Sequence, residues 1–162
     1  VPDEYLDAFV SLEHVMNTAP RDDLDMEDWV TTPERFRESE QRGREQGYRW
    51  WTIVARHDAT DALVGFTQLA FAPYEADIAW QQGTAVDPVH RNHGIGRWLK
   101  AAMIRKLQAE RPEVWRIDTW NAGSNATMLG INIALGFRPV KHHGSFQAPT
   151  EKLAAAVAER FG

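Results

Sequence analysis

The run "GTAVDPVHRNHGIGRWLKAAMIRKLQAERPEVWRIDTW", Gly83 to Trp120, constrains the fold more than any other part of the chain. It passes from an apolar strand-like segment through a basic turn into a long amphipathic stretch, then into a second β-rich segment. Ile95, Leu99, Ala102, Met103 and Leu107 keep a helical period from Gly94 to about Glu110, and Arg111-Pro112 stops it. A strand, a long helix and a strand joined in that order imply a right-handed crossover and a parallel pair.

The flanking segments extend this pattern. Glu4 to Asn17 carries Leu6, Phe9, Val10 and Val15 at helical spacing. Thr32-Pro33-Glu34 reads as a helix start, with Thr32 as N-cap, and that helix runs to about Glu45 before Gly47. "YRWWTIVAR" and "LVGFTQLAFA" are β-rich and separated by the turn "HDATDA", so they predict a hairpin. "DIAWQQGTAVD" is a third strand, Val114 to Trp120 the next, and "FRPVKHH" a last one. "SNATMLGINIALG" predicts a helix capped at Ser124 or Asn125 and ended by Gly136. Thr150 to Phe161 predicts a C-terminal helix. The expected class is α/β: a mixed central sheet with helices on both faces.

With 162 residues, 43% of them hydrophobic and 25% charged, the chain suits one globular domain, residues 1–162. A net charge of −5 argues against nucleic acid as a main partner and suits a cationic small molecule. No apolar run reaches membrane-spanning length, so no membrane partner is expected. The absence of cysteine excludes disulfides and thiolate metal sites. A cytoplasmic location is the default expectation. No His/Asp/Glu spacing suggests a metal site. The N-terminal residue is Val1, not methionine, and a helix begins almost at once. Both points predict that the chain is a piece of a longer one.

Glycines at a helix start cost about 1 kcal/mol each relative to alanine. The turn before the long helix holds Gly94 and Gly96, with Arg91, Asn92, His93, Ile95 and Arg97 around them. Backbone N–H groups there have no helical acceptor, and the helix dipole adds partial positive charge. That is an anion site suited to phosphate or pyrophosphate, and a bound anion would offset the glycine penalty. The alternative is a tight turn that only permits close helix–sheet packing. No Gly-Lys-Ser/Thr follows, and a dinucleotide fingerprint would need glycine at Leu99.

Arg91-x-x-Gly94-x-Gly96 after a strand, followed by "NATMLGINIALGF", Asn125 to Phe137, resembles the GCN5-related N-acetyltransferase (GNAT) superfamily. The resemblance covers nearly the whole chain. "MNTAPRDDLDMEDW", "HRNHGIGRWLK" and "TWNAGSNATMLGINIALGFR" are similar to the C-terminal half of actinobacterial tandem acetyltransferases. The family's first strand normally precedes the first helix, and no room for it exists here.

The resemblance implies acetyl-CoA as cosubstrate, without a metal, and direct transfer of the acetyl group to an amine of a small molecule. The pyrophosphate is expected on Arg91, Asn92, His93, Gly94, Ile95 and Gly96. The pantetheine is expected along Thr84, Ala85 and Val86, opposite Asn125. A bulge, supplied here by Gly83, is expected to splay that strand from the next. Many family members carry a tyrosine as acid to the departing thiolate, and its position is Asn132 here. Asparagine can donate a hydrogen bond to sulfur but not a proton. Alternation from Val86 puts Thr84, Gln82 and Trp80 on one face, all neutral. Glu75 and Asp77, and secondarily Asp118, are therefore the carboxylates expected to act as base through water. The cluster Asp22, Asp23, Asp25, Glu27 and Asp28 is expected near a cationic acceptor. Trp29, Trp50, Trp51, Trp80 and Trp120 are candidates for its walls. The competing expectation is an inactive domain that binds CoA or packs against a second such domain. That second domain would lie in the same chain, or in a homodimer.

Overall fold

The computed structural model describes residues 1–161. A short 3-10 turn, Asp3–Tyr5, leads into α1 (Leu6–Glu13), and a second one, His14–Thr18, follows it. Next come α2 (Pro33–Glu45), β1 (Arg49–Arg56), β2 (Leu63–Phe71) and β3 (Ile78–Val86). Then α3 (Ile95–Glu110), β4 (Arg116–Asp118), α4 (Ala126–Ala134) and α5 (Thr150–Phe161) complete the chain. The local signals act as their chemistry dictates. Thr32 Oγ1 accepts the N–H of Arg35 at 3.3 Å, with Pro33 at the first helical position. Asn125 Oδ1 accepts the N–H of Met128 at 3.1 Å.

The four strands lie in the order β1-β2-β3-β4. The first three are antiparallel neighbours and β3–β4 is parallel. The result is the expected mixed sheet with helices on both faces. On one face Leu69, Phe71 and Ala79 pack against Met103 and Leu107 of α3. On the other, Phe66 and Ala85 pack against Phe9 and Leu12 of α1.

A register shift in the β2–β3 ladder positions the site. Leu69 pairs with Gln81, but Thr67 pairs with Thr84, so β3 carries one extra residue between them. This bulge at Gln82–Gly83 corrects the expected alternation. Thr84 Oγ1 meets Thr67 Oγ1 at 2.8 Å on the α3 face, and Val86 approaches Gly96 there. Gln82 instead lines a cavity on the α1–α2 face. An extra residue reverses the facing of every side chain upstream of it, so Gln82 and Trp80 do not share a face with Thr84 and Val86.

Two expected strands are reduced. Val114 to Trp120 pairs only over Arg116–Asp118, against Ile78, Ala79 and Trp80. Beyond Trp80 the bulge carries β3 away and Thr119-Trp120 has no ladder to join. Phe137 to His143 forms no strand. Pro139 has no N–H to give, and the three-residue β4 presents too short an edge to template another strand.

Candidate functional site

The ladder between β3 and β4 ends at Trp80–Asp118, while β3 continues to Val86. The two strands therefore open into a wedge. At the end of β3 the chain turns through Pro88–His90 into the glycine loop.

Asn92 and Gly94 both adopt left-handed backbone, with φ of 65° and 77°. Alternating left- and right-handed residues turn successive N–H groups toward one side, which forms an anion-binding nest. His90 and Arg91 donate backward, to Asp87 O at 2.8 Å and Pro88 O at 3.4 Å, and Trp98 donates to Gly94 O at 2.9 Å. Among the described residues, no acceptor takes the N–H groups of Asn92, His93, Gly94, Ile95, Gly96 or Arg97. Six consecutive free donors thus gather at the N-terminus of a 16-residue helix. Packing does not demand glycine at position 96. A Cβ there would meet only Ile131 at 3.6 Å and Val86 at 3.7 Å, ordinary contact distances. The alternative of glycines serving packing alone therefore has no support at Gly96.

Arg91 is more committed than its sequence position suggested. Its Nε donates to Val86 O at 3.0 Å and its Nη2 to Thr18 Oγ1 at 2.7 Å. It braces the loop from beneath. Arg97 is exposed.

Asn132 borders the wedge and is 5% exposed. Its Nδ2 donates one of its two N–H groups to Asn121 Oδ1 at 2.7 Å, which leaves one N–H for contact with sulfur. Its Oδ1 is buried without a partner. Asn125 spends its side-chain oxygen on the α4 cap and keeps its NH2 group.

The two carboxylates proposed as base are not brought to the same place. Glu75 accepts the indole N–H of Trp80 at 2.7 Å, and Asp77 that of Trp115 at 2.8 Å. Both precede β3, and a strand rise of about 3.3 Å per residue puts Asp77 roughly 17–20 Å from Gly83. Asp118 pairs with Arg116 at 3.1 Å.

The acidic cluster is also partly spent. Asp22 receives the N–H groups of Gly123 and Ser124 at 3.2 and 3.1 Å, plus the Ser124 hydroxyl. These bonds hold its carboxyl below the usual range. Asp28 pairs with Arg21 at 2.7 Å. The segment thereby reaches from α1 to the start of α4. The tryptophans do not form one wall: Trp50 lines the α1–α2 cavity, Trp51 packs on Phe71, and Trp80 meets Trp120 edge-on at 6.3 Å.

That cavity, about 430 Å³, lies between α1, α2 and the sheet, and its lining includes Glu13, Glu40, Trp50, Gln68 and Gln82. Burial and the neighbouring Glu40 raise Glu13 to about 7. No group of three His, Cys, Asp or Glu among the described residues could hold a metal ion. Among the described residues, no helix is long and apolar enough to cross a membrane.

A mixed sheet with a splayed parallel pair thus carries an N–H nest at the start of the helix between its strands. The chain belongs to the acetyltransferase (GNAT) family, whose model matches residues 12–129. A tandem GNAT protein from the clavulanic acid biosynthesis pathway is 30% identical, with a TM-score of 0.70. The match covers 86% of this chain and 39% of that one, so the chain spans well under half of its length. The PaiA N-acetyltransferase from Thermoplasma acidophilum, solved with coenzyme A, is 14% identical with a TM-score of 0.70, over 90% of this chain and 91% of that one. AAC(6')-Iy in complex with a CoA-S-monomethyl-acetylneamine bisubstrate analog is 15% identical with a TM-score of 0.61, covering 91% of this chain and 93% of that one. Comparison with curated proteins gives no match.

Proposed function

We propose that this domain is an N-acetyltransferase that moves the acetyl group of acetyl-CoA directly to an amine of a small molecule. The observation that carries the reading is the set of six unpaired N–H groups from Asn92 to Arg97 at the mouth of the wedge. Such a nest matches a pyrophosphate in charge and spacing. Beyond Trp80 the β3 edge has no strand partner, so Thr84, Ala85 and Val86 offer an edge to the amide groups of a pantetheine arm. Asn125, with its NH2 group left over from the α4 cap, would hold the arm from the other side. A backbone N–H near Val86 would polarise the thioester carbonyl and stabilise the tetrahedral oxyanion. The coenzyme A complexes among structures of like fold support the donor, and the bisubstrate complex supports an amine acceptor.

The likeness to a tandem protein supports a second GNAT domain as the partner of this one. A second reading, CoA binding without catalysis, is favoured by two observations. Asn132, at the position of the family's acid, has no proton to give and holds one of its two N–H groups on Asn121, and Glu75 and Asp77 lie far from the bulge.

Calorimetry with acetyl-CoA, followed by a thiol-release assay over a panel of primary amines, separates the two. Binding with amine-dependent thiol release is the expected result. Binding with no release beyond water hydrolysis would favour the inactive domain, and absence of binding would refute both.

A further inference from the structure

Lys100 is 1% exposed, the only lysine or arginine buried to that degree among the described residues. It makes no hydrogen bond and no ion pair with any described residue, and its ammonium lies 5.2 Å from the centre of the Phe137 ring. Holding the stem of a lysine inside the fold with its ammonium next to no counter-charge is costly.

Its position follows from the helix. Leu99 points at Gly65 of β2, where a Cβ would come within 3.1 Å of it. Lys100 stands about 100° further round α3, on the flank of Gly96, which faces Val86 of β3 and Ile131 of α4. It lies about 6 Å deeper along α3 than Gly96, and side chains on a helix lean back toward its N-terminus. The ammonium therefore sits between α3, α4 and the open side of the wedge, below the phosphate nest. Asn132 is linked to it through Phe137: its carbonyl accepts the Phe137 N–H at 3.0 Å, and its buried Oδ1 has no donor among the described residues. Lys100 and Asn132 thus both meet Phe137, at the end of α4.

We propose that Lys100 is the proton donor to the departing thiolate, in the role that Asn132 cannot fill. The inference rests on the acetyl-CoA reading above. In the step, the amine nitrogen bonds to the thioester carbonyl carbon and the carbon–sulfur bond breaks. The sulfur leaves with the electron pair and takes a proton from Lys100 Nζ. The attacking amine gives its proton to water, and Lys100 is reprotonated from solvent. Nothing is oxidised or reduced.

Burial pushes the Lys100 ammonium down to about 8. That matches a thiol of about 8.5, so the proton moves with little free-energy change. No carboxylate faces it from the packed elements. β2, β3 and α4 carry no charged residue, and on β4 Arg116 and Asp118 pair with each other. Arg97, Arg105, Lys106 and Glu110 of α3 lie toward solvent, and Lys106 pairs with Glu110.

The test is the ionisation of the coenzyme A thiol on the protein, followed by thiolate ultraviolet absorbance across pH. On the wild type the bound thiol should ionise at a proton concentration about tenfold or more above that for free coenzyme A. Lys100→Met, nearly isosteric and uncharged, should return it to the free value. The same variant should lower kcat by about ten- to a hundredfold and remove the fall in kcat above pH about 8. A wild-type bound thiol that titrates like free coenzyme A overturns the proposal, whether or not Lys100→Met folds. A variant with wild-type kcat and the same alkaline limb overturns it as well. Coenzyme A that fails to bind the wild type overturns the acetyl-CoA reading itself, whereas binding without a shift overturns Lys100 alone.

Discussion

Arg91 Nη2 donates to Thr18 Oγ1 at 2.7 Å, joining the glycine loop to a residue 73 positions earlier in the chain. With the Nε bond to Val86 O, it pins the end of β3, the loop and the turn after α1 together. Arg91→Ala should lower stability by about 1–2 kcal/mol, toward the low end for hydrogen bonds with a charged group because both bonds are exposed. Urea unfolding measures this. Unchanged stability would mean the guanidinium is free for a ligand phosphate.

Gly96→Ala separates folding from binding. The methyl group finds only ordinary contacts with Ile131 and Val86. Alanine is also a better helix former than glycine by roughly 0.5–1 kcal/mol. The variant should melt at a higher temperature than the wild type. It should bind acetyl-CoA about tenfold or more weakly, because the methyl occupies the approach to the N–H nest. Calorimetry showing wild-type affinity would remove the pyrophosphate from this loop.

Glu13 makes stability depend on pH. Its folded value, about 7, lies above the ordinary 4.5 because it is buried and faces Glu40. Between those values the folded state holds a proton that the unfolded state has released, so stability falls as pH rises from about 4.5 to 7. The cost is fully present above pH 7. Solvent reaches part of the side chain, which reduces the penalty to about 2 kcal/mol. Glu13→Gln should therefore stabilise the protein at pH 8 and lose that advantage near pH 4.5. Equal effects in urea melts at both pH values would contradict this.

Asn132→Ala should destabilise the fold by about 1–2 kcal/mol, since it strands the Asn121 Oδ1 that now receives the Asn132 amide. Differential scanning calorimetry reads it directly. An unaltered melting temperature would show that the Asn121 bond is dispensable and that both amide hydrogens are open to contact with sulfur.

Much of the architecture was legible in the sequence because local chemistry decided it. Thr32-Pro33 and Asn125 cap the helices they were expected to cap, and the helical period of Ile95 to Leu107 gives α3 its buried side. The run of free N–H groups from Asn92 to Arg97 was legible for the same reason, since it is built from consecutive backbone groups. What failed depends on partners distant in sequence. "FRPVKHH" has strand composition, but no adjacent edge exists to pair with it. Gly83 marked the bulge, yet which residues it turned over required the Thr67–Thr84 pairing. Asp22 was expected near a cationic acceptor, and it holds the start of α4. Lys100 was hidden by its type, although a lysine between Leu99 and Met103 on an apolar stripe was a signal.

The extra residue at Gln82–Gly83 makes β3 behave like a text with a shifted reading frame. Upstream of it, odd positions such as Ala79 and Gln81 face α3, while downstream the even positions Thr84 and Val86 do. Losing either Gln82 or Gly83 would restore a uniform phase to the whole strand. Trp80 and Ala79 would then have to exchange sides, or Ala85 would leave the cluster it shares with Phe9 and Phe66. The strand tolerates substitution at many points, but at this one its length is as fixed as a codon.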